Sequence, residues 1–306
     1  MALKIIYMGT PEFAVPILKS LHNSKHSIIE VYTQPPKKKN RGQKINSTPV
    51  QKVSEKFSLN FRSPENLDSK LEYEYIKNLK PDVVVVVAYG KIIPDSFLSL
   101  KNTKFINIHA SLLPKWRGAA PIQRAIMNLD EFSGISFMKI VSKLDAGPII
   151  IKSKLKIDRE TTYESLSKKM SELASIKILE VLELIESRKA VYIPQNDKEA
   201  TYAKKIDKLE TKINWKDSAK KNIAKINALY PIPGSWFRIN NSRIKVVKAL
   251  EVKKDGKPGE ILADGLSIAC SENAIQILKL QKEGKKEITT EEYLRGNKVE
   301  KGKILA

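Results

Sequence analysis

The sequence predicts an α/β fold in which a doubly wound, mostly parallel sheet precedes a small antiparallel β-barrel. Strand-like apolar runs alternate with helix-like segments over about the first 190 residues, a pattern typical of strands joined by crossover helices. After residue 240, four short strand-like runs follow one another with glycine or charged turns between them. Such spacing is typical of a small antiparallel barrel.

The elements of the sheet come in order along the chain. LKIIYM at residues 3–8 is an apolar run, and PEFAVPILKSL then repeats apolar residues at helical spacing. PDVVVVVAYG at 81–90 is the strongest strand signal, because a continuous β-branched run is typical of a strand buried on both faces. The other predicted elements are the strands SIIEVYT (27–33), FINIHA (105–110) and SGISFMKIV (133–141), the helix AAPIQRAIMNLD (119–130) and a threonine-capped amphipathic helix over 162–189.

The composition changes after the long helix. Residues 192–205 mix proline, tyrosine and charge and are interpreted as a linker. WKDSAKKNIAKINAL at 215–229 predicts a basic helix. The predicted barrel strands are RIKVVKAL (243–250), GEILA (259–263), LSIAC (266–270) and AIQILKL (274–280). The predicted domains are therefore 1–191 and 206–306, with the linker between them.

Composition excludes several classes of protein. No apolar run reaches the roughly 18 residues of a membrane span, and no cleavable signal precedes the first strand, so a cytoplasmic protein is expected. Cys270 is the single cysteine and cannot form an internal disulfide. With His22, His26 and His109 as the only histidines, no metal-ligand spacing appears, and no metal is expected.

The net charge of +21 has two open explanations. A strongly basic chain suits a polyanionic partner such as nucleic acid, whereas a lysine-rich host gives the same charge as a solvated surface. Residues 201–306 carry 23 basic and 13 acidic side chains, against 32 and 21 in residues 1–200. The last third is thus nearly twice as basic per residue.

The candidate chemistry lies in NIHASLLPKWRGAAP at 107–121. Asn107 and His109 are two apart on a strand and project to one side, and a rigid turn at Pro114 follows them. Asp145, in the loop KLDAGPI, reaches His109 if the strand before it lies beside FINIHA, and a carboxylate there sets the histidine tautomer. Two alternatives remain: a satisfied polar pair at 107 and 109, and a tight turn at Asp145.

These motifs resemble the folate-dependent formyltransferases. NIHASLLP matches the hallmark Asn-x-His-x-Ser-Leu-Leu-Pro of that family, and LDAG matches its downstream Asp-x-Gly. IIYMGTPEFAVPILKSL at the start, TQPPKKKNRGQK at 33–44 and TYAKKIDKLETKINW at 201–215 resemble the members that formylate methionyl initiator tRNA. The likeness extends over nearly the whole chain and implies a Rossmann-like catalytic domain, a linker and an OB-like tRNA-binding domain.

The resemblance also implies the reaction and its participants. A formyl group passes from 10-formyltetrahydrofolate, a co-substrate, to the α-amino group of methionyl initiator tRNA, without a metal and in a monomeric enzyme. By resemblance, Asn107 and His109 donate hydrogen bonds to the developing oxyanion. Asp145 orients His109 and helps to move the proton from the attacking amine to the leaving nitrogen.

Three further groups of residues follow from the same resemblance. Three loops are expected to hold the folate, and their residues are Ser111, Leu112, Leu113, Pro114, Val87, Ala88, Tyr89, Gly90 and Val141. A basic loop is expected to contact the tRNA acceptor stem; its residues are Lys37, Lys38, Lys39, Arg41 and Lys44. The alternative interpretation of this loop is a solvated run of charges. Thr10 and Phe13 are expected near the aminoacyl end, although Phe13 equally suits a helix core.

The chain departs from the family pattern at two places. The basic loop has Pro36, three lysines and Asn40 where an acidic residue and a glycine are expected, and SENA at 271–274 replaces a glycine-bearing turn. The alternative functions are a formyltransferase for a small amine or sugar nucleotide, and a non-catalytic RNA-binding protein. A dehydrogenase is disfavoured because MGTPEF lacks the GxGxxG glycines after the first strand.

Overall fold

The computed structural model describes residues 2–39, 44–262 and 265–305. Its strands in chain order are β1 Lys4–Gly9, β2 Ser27–Tyr32, β3 Lys37–Lys39, β4 Lys44–Asn46, β5 Phe61–Arg62, β6 Val83–Val87, β7 Lys104–His109, β8 Arg117–Gly118, β9 Phe132–Lys139, β10 Ile149–Lys156, β11 Tyr202–Ala203, β12 Ser235–Ile239, β13 Ser242–Val252, β14 Ser267–Ala269, β15 Ala274–Lys282 and β16 Glu287–Thr289. Its α-helices are α1 Val15–His22, α2 Pro49–Lys56, α3 Lys70–Leu79, α4 Asp95–Leu98, α5 Pro121–Met127, α6 Tyr163–Glu186, α7 Ala219–Leu229 and α8 Thr290–Gly296.

Several helices begin where the sequence provides a cap. Thr48 accepts a hydrogen bond from Gln51 N (3.0 Å) at the start of α2, and Ser69 accepts one from Glu72 N (3.2 Å) at the start of α3. Thr162 likewise accepts from Ser165 N (3.2 Å) before α6, as the predicted threonine cap requires. Each side chain satisfies a backbone N–H that has no partner within its own helix.

A seven-stranded sheet forms the larger layer, in the order β10-β9-β7-β6-β1-β2-β5. β1 pairs parallel with β2 and β6, β2 with β5, and β6 with β7, whereas β9 runs antiparallel to β7. The chain winds outward from β1 to β5 and then returns to β6 on the other side of β1. This reversal confirms the doubly wound sheet and places a crevice beyond the carboxyl ends of β1 and β6.

The centre of this sheet is entirely apolar. All five valines of β6 are buried, and β1 on one side of it contributes Ile5, Ile6, Tyr7 and Met8, all with no exposed surface. A strand covered on both faces favours this continuous β-branched sequence. The buried centre leaves the loops after the strands as the place for polar groups.

The second sheet is antiparallel and has five strands. Four of them lie in the order β12-β13-β15-β14, and β16 pairs with residues 279–281 of β15. Trp215, Phe237 and Tyr293 belong to the buried cluster on its inner face, and α7 packs against α5 and β13. The predicted fold class is confirmed, with a Rossmann-like sheet followed by an antiparallel half-barrel sheet where the small antiparallel barrel was expected.

Two local predictions differ from the structure. In the described part of GEILA, residues 259–262, the pairing is confined to short stretches: isolated bridges join Glu260 to Ile304 and Ile261 to Ile268, and Leu262 N donates to Ser267 O (2.9 Å). The stretch expected as a basic loop contains an antiparallel hairpin, in which β3 pairs with β4. Residues 40–43 between these strands lie outside the described residues.

The chain divides into two compact units that interleave along the sequence. One comprises Met1–Gly118, Gly134–Leu155 and Ser167–Tyr202, and the other Ala119–Ser133, Lys156–Leu166 and Ala203–Ala306. The boundaries at 191 and 206 and the linker at 192–205 stay predictions. Among the described helices, none is long and apolar enough to cross a bilayer, and the same residues hold no group of three His, Cys, Asp or Glu that could bind a metal ion.

Candidate active site

Asn107 and His109 lie on β7, where the alternation of the strand directs both side chains to one face. The sheet register sets them opposite β9, with Asn107 paired to Met138 and His109 to Ser136. His109 is buried and Asn107 is half-buried. Asn107 therefore retains solvent-accessible surface, whereas His109 is enclosed by protein.

Asp145 completes the cluster from the loop after β9. Because β9 runs antiparallel to β7, this loop begins beside Phe105, whose carbonyl accepts from Ile140 N (2.9 Å), and it returns toward His109 by residue 145. Asp145 Oδ1 lies 3.5 Å from Asn107 Nδ2, and Asp145 Oδ2 lies 3.6 Å from His109 Nδ1. The structure thus brings together all three predicted catalytic residues.

The segment after the Leu-Leu-Pro turn contacts both His109 and Asp145. Trp116 O lies 2.9 Å from His109 Nε2, and Gly118 N donates to Asp145 Oδ2 (2.8 Å). A carbonyl only accepts, so Nε2 carries a hydrogen and Nδ1 faces the carboxylate. The tautomer is therefore set by Trp116, and Asp145 lies too far from Nδ1 for a hydrogen bond of ordinary length.

Backbone conformation at the site is unusual at three non-glycine residues. Ala88, Trp116 and Asp145 have φ angles of 46°, 61° and 48°, in the left-handed region that side chains with a Cβ disfavour. Gly147 is required for a different reason, because a Cβ there would lie 1.7 Å from Lys139 O. The loop around Asp145 is thus fixed by close approach to β9.

The predicted folate residues fall into two groups. Val87, Tyr89, Ser111 and Leu113 are almost fully buried and provide support or backbone atoms. The part-exposed residues are Leu112, Pro114, Ala88, Gly90 and Val141. The folate assignment of both groups stays a prediction.

A buried serine on β9 shapes the turn that contains four of these residues. Ser136 Oγ donates to Ser111 O (2.7 Å) and accepts from Leu113 N (3.0 Å), and Ser111 Oγ donates to Lys115 O (2.6 Å). Leu113 packs in a small cluster with Met138 and Ile149. The Leu-Leu-Pro turn is therefore a preformed wall rather than a free loop.

Thr10 lies at the crevice between β1 and β6. Its Oγ1 donates to Tyr89 O (2.8 Å) and accepts from Gln34 N (3.3 Å), so Thr10 joins the loops that follow β6 and β2. Phe13 is half-buried, and its carbonyl accepts from Ser171 Oγ (2.6 Å). A role for either residue at the aminoacyl end stays a prediction.

The predicted tRNA contacts are placed only in part. Lys37, Lys38 and Lys39 form β3, and Lys44 begins β4. Arg41 lies outside the described residues. The hairpin pairs Lys37 with Asn46 and Lys39 with Lys44, which concentrates lysines on two adjacent strands.

Sequence reasoning missed Gln195, which it assigned to the linker. Gln195 Nε2 donates to the carbonyls of Asp145 (2.9 Å) and Gly147 (2.7 Å), and its Oε1 accepts from Arg117. A lone glutamine beside one proline and several charged residues gives no pattern that would have found it. Arg117 was within the quoted motif, but its type and spacing did not indicate a buried side chain.

Comparison with known proteins agrees with this geometry. The "Formyl transferase" family model matches residues 3–182, and the "Formyl transferase, C-terminal domain" model matches 205–298. A methionyl-tRNA formyltransferase of Pelagibacter ubique (strain HTCC1062) is 50% identical over 304 residues, which cover 99% of this chain and 98% of that protein.

Two solved structures share the fold. An N-formyltransferase from Helicobacter canadensis, in complex with folinic acid and dTDP-3-aminofucose, has a TM-score of 0.70 at 19% identity and covers 92% of this chain and 100% of its own. HypX from Aquifex aeolicus, in complex with tetrahydrofolic acid, has a TM-score of 0.68 at 18% identity; the match covers 100% of this chain but 51% of HypX, so this chain spans about half of that protein. The family models and the full-length relative together place this chain in the methionyl-tRNA formyltransferase family.

Proposed function

We propose that this chain transfers the formyl group of 10-formyltetrahydrofolate to the α-amino group of methionyl initiator tRNA, and that Asn107, His109 and Asp145 perform the reaction. The observation that supports it most directly is the convergence of these three side chains, with Asp145 within 3.6 Å of both partners. The full-length likeness to a methionyl-tRNA formyltransferase supports the choice of acceptor.

The reaction needs little activation of the nucleophile. A free α-amino group has a pKa of about 7.7 to 8.0, and esterification of the carboxyl group lowers it, so a usable fraction is neutral near pH 7. The folate supplies the formyl carbon, which forms a bond to the α-amino nitrogen as its bond to N10 breaks. The residues of this chain must stabilise the developing negative charge and move one proton.

Asn107 suits the first task. Its Nδ2 has two hydrogens, and the contact to Asp145 Oδ1 at 3.5 Å uses at most one of them. The half-buried amide can donate the other to the formyl oxygen. Losing one such donor in other enzymes costs about 10² to 10³ in turnover.

Asp145 suits the second task, with His109 beside it. Asp145 Oδ2 is held by Gly118 N (2.8 Å) and faces His109 Nδ1, so the carboxylate can take the proton of the attacking amine and pass it toward the leaving nitrogen. His109 is oriented by the Trp116 carbonyl. Donation by His109 to the oxyanion then requires a hydrogen on Nδ1, because Nε2 is already engaged.

The surrounding loops fit a flat heteroaromatic ligand. Ala88 and Gly90 are exposed after the end of β6, and Leu112 and Val141, in the loops after β7 and β9, are half-buried apolar residues. Left-handed φ angles at Ala88 (46°) and Gly90 (86°) turn backbone polar groups out of the strand. These loops would hold the ring system by backbone hydrogen bonds and apolar contact.

Initiator tRNA is the proposed partner of the basic residues. The lysines of β3 and β4 and the charge of residues 201–306 would neutralise phosphates. The expected monomeric state stays a prediction. A small amine or a sugar nucleotide remains the alternative acceptor.

The deciding experiment gives the purified protein 10-formyltetrahydrofolate together with initiator tRNA charged with methionine. Formylmethionine should appear on the tRNA, and uncharged tRNA should give no product. The same mixture with a dTDP-amino sugar or free methionine in place of charged tRNA should give little transfer. Efficient transfer to one of these small amines, without transfer to charged tRNA, would assign the alternative acceptor.

A further inference from the structure

We infer that Gln195 is a positioning residue that holds the Asp145 loop for catalysis, and that Arg117 fixes Gln195 for this task. The inference rests on the proposed role of Asp145. It assigns a function to a segment that contains neither the family hallmark nor any of the predicted site residues.

Gln195 uses both ends of its side-chain amide. Its nitrogen donates to two carbonyls of the catalytic loop, Asp145 O at 2.9 Å and Gly147 O at 2.7 Å. Its oxygen accepts from Arg117 Nε (3.0 Å) and NH2 (2.8 Å). Since the carbonyls need donors and the guanidinium needs an acceptor, only one orientation of the amide satisfies all four contacts.

Arg117 is an unusual anchor because its side chain has no exposed surface. A buried guanidinium is costly unless it is paired, and NH1 lies 2.8 Å from Asp197 Oδ1 while Nε and NH2 are occupied by Gln195. Hydrogen bonds from Lys143 and then Arg117 lower the pKa of the Asp197 carboxyl below its ordinary value. The arginine is thus held in place by two neighbours from the same short segment.

The same segment is tied to the loop that orients His109. Thr201 Oγ1 accepts from Trp116 N (2.9 Å), and Thr201 O accepts from Arg117 N (2.9 Å). Ile193 forms a backbone bridge with Ile149 directly after the Asp145 loop. Residues 193–201 therefore contact both loops that face His109, and Gln195 is the member that contacts the Asp145 backbone.

The Asp145 loop needs such a restraint. Asp145 has φ +48°, which is unfavourable for a residue with a Cβ, and its carbonyl is one of the two that Gln195 binds. Without the amide, the Asp145 carbonyl loses its donor, and the peptide can shift toward an ordinary conformation within the limits set by Gly147 and Gly118, which displaces the carboxylate from Asn107 and His109. A displacement of about 1 Å at a reacting group can cost about 100-fold in rate.

The variant Gln195→Glu separates the two halves of the amide. A carboxylate keeps an acceptor for Arg117, so the buried guanidinium stays paired, but it offers no hydrogen to the Asp145 and Gly147 carbonyls. We expect kcat to fall by about 10- to 100-fold, with the KM values for both substrates changed by less than about threefold. Glu199→Gln, the reverse exchange at an exposed residue four positions on, is the matched control and should retain wild-type turnover.

A double-mutant cycle distinguishes positioning from a general structural role. Single-turnover rates are measured for Asp145→Ala with and without Gln195→Glu. If Gln195 acts through Asp145, the second change has no further effect in the Asp145→Ala background. An equal loss in both backgrounds, or an unchanged kcat in Gln195→Glu itself, overturns the inference.

Two outcomes are kept apart by this design. Wild-type turnover in Asp145→Ala contradicts the proposed function, whereas a large loss in Asp145→Ala with none in Gln195→Glu contradicts only the positioning role. If Gln195→Glu does not fold, Gln195→Asn replaces it, since a chain shorter by one methylene keeps the amide but cannot reach both carbonyls and Arg117. The same cycle and the same outcomes then apply.

Discussion

The active-site cluster and the C-terminal sheet hold their polar groups in opposite ways. Asn107, His109 and Asp145 are mostly enclosed, and each contacts another group of the site within 3.6 Å. On the C-terminal sheet, Lys248 and Lys279 are exposed and paired across β13 and β15. The difference matches the proposed roles, because formyl transfer would need fixed positions, whereas contact with phosphates would need charge density and tolerate movement.

The largest effects should come from the enclosed cluster. Asn107→Ala and His109→Ala should each lower turnover by about 10² to 10³, because each removes a polar group placed beside the reacting atoms. Asn107→Ala should change stability little because Asn107 is half-buried, whereas His109→Ala leaves a cavity and an unpaired Trp116 carbonyl and should lower the thermal midpoint. Turnover and thermal midpoint are measured together.

The matched controls for these variants are Asn60→Ala and His22→Ala, which replace exposed residues of the same types. Both should retain wild-type turnover. Near wild-type turnover in His109→Ala would remove the histidine from the mechanism and weaken the contrast between the two regions.

A smaller effect, on both activity and folding, should follow from Gly147→Ala. The new methyl group would lie 1.7 Å from Lys139 O, so the loop must shift and take Asp145 with it. Overpacking of this kind costs about 1 to 3 kcal/mol, measured by urea denaturation. Gly296→Ala, where nothing lies within 4 Å of the new methyl, should have little effect on either property.

The smallest effect should come from the exposed lysines. In Lys248→Ala with Lys279→Ala, the KM for charged tRNA should rise and the log-log salt dependence should flatten by up to about one unit per lost phosphate contact. kcat should stay unchanged. Relief of like charges facing each other across the strands should raise stability by about 0.2 to 1 kcal/mol. An unchanged salt dependence would indicate that this face of the sheet does not contact the tRNA.

Much of the fold was predictable because its signals are local. The valine run at 83–87 forms a buried strand, and threonine caps the long helix, as the pattern indicates. The relation of Asn107 to His109 also follows from strand alternation alone. Their contact with Asp145 was predicted only on the condition that the strand before Asp145 lies beside β7. The pairing of β7 with β9 meets this condition.

The rest depended on contacts between distant residues. Gln195 is 50 residues from Asp145 and 78 from Arg117, and no periodicity links them. GEILA has strand-like residues, yet the pairing of its described residues 259–262 takes the form of isolated bridges. The site roles and the tRNA contacts stay predictions, because they concern ligands or partners that bind from outside. The domain boundaries stay predictions as well.

The left-handed residues at the site also bear on how this protein can be engineered. Trp116 and Asp145 occupy conformations that glycine adopts without penalty. At position 145 a glycine would relieve the unfavourable φ but would remove the carboxylate, whereas at position 116 it would also remove a half-buried indole. At position 145, therefore, relief of backbone strain and catalytic activity favour different residues, and variants must be selected for both properties together.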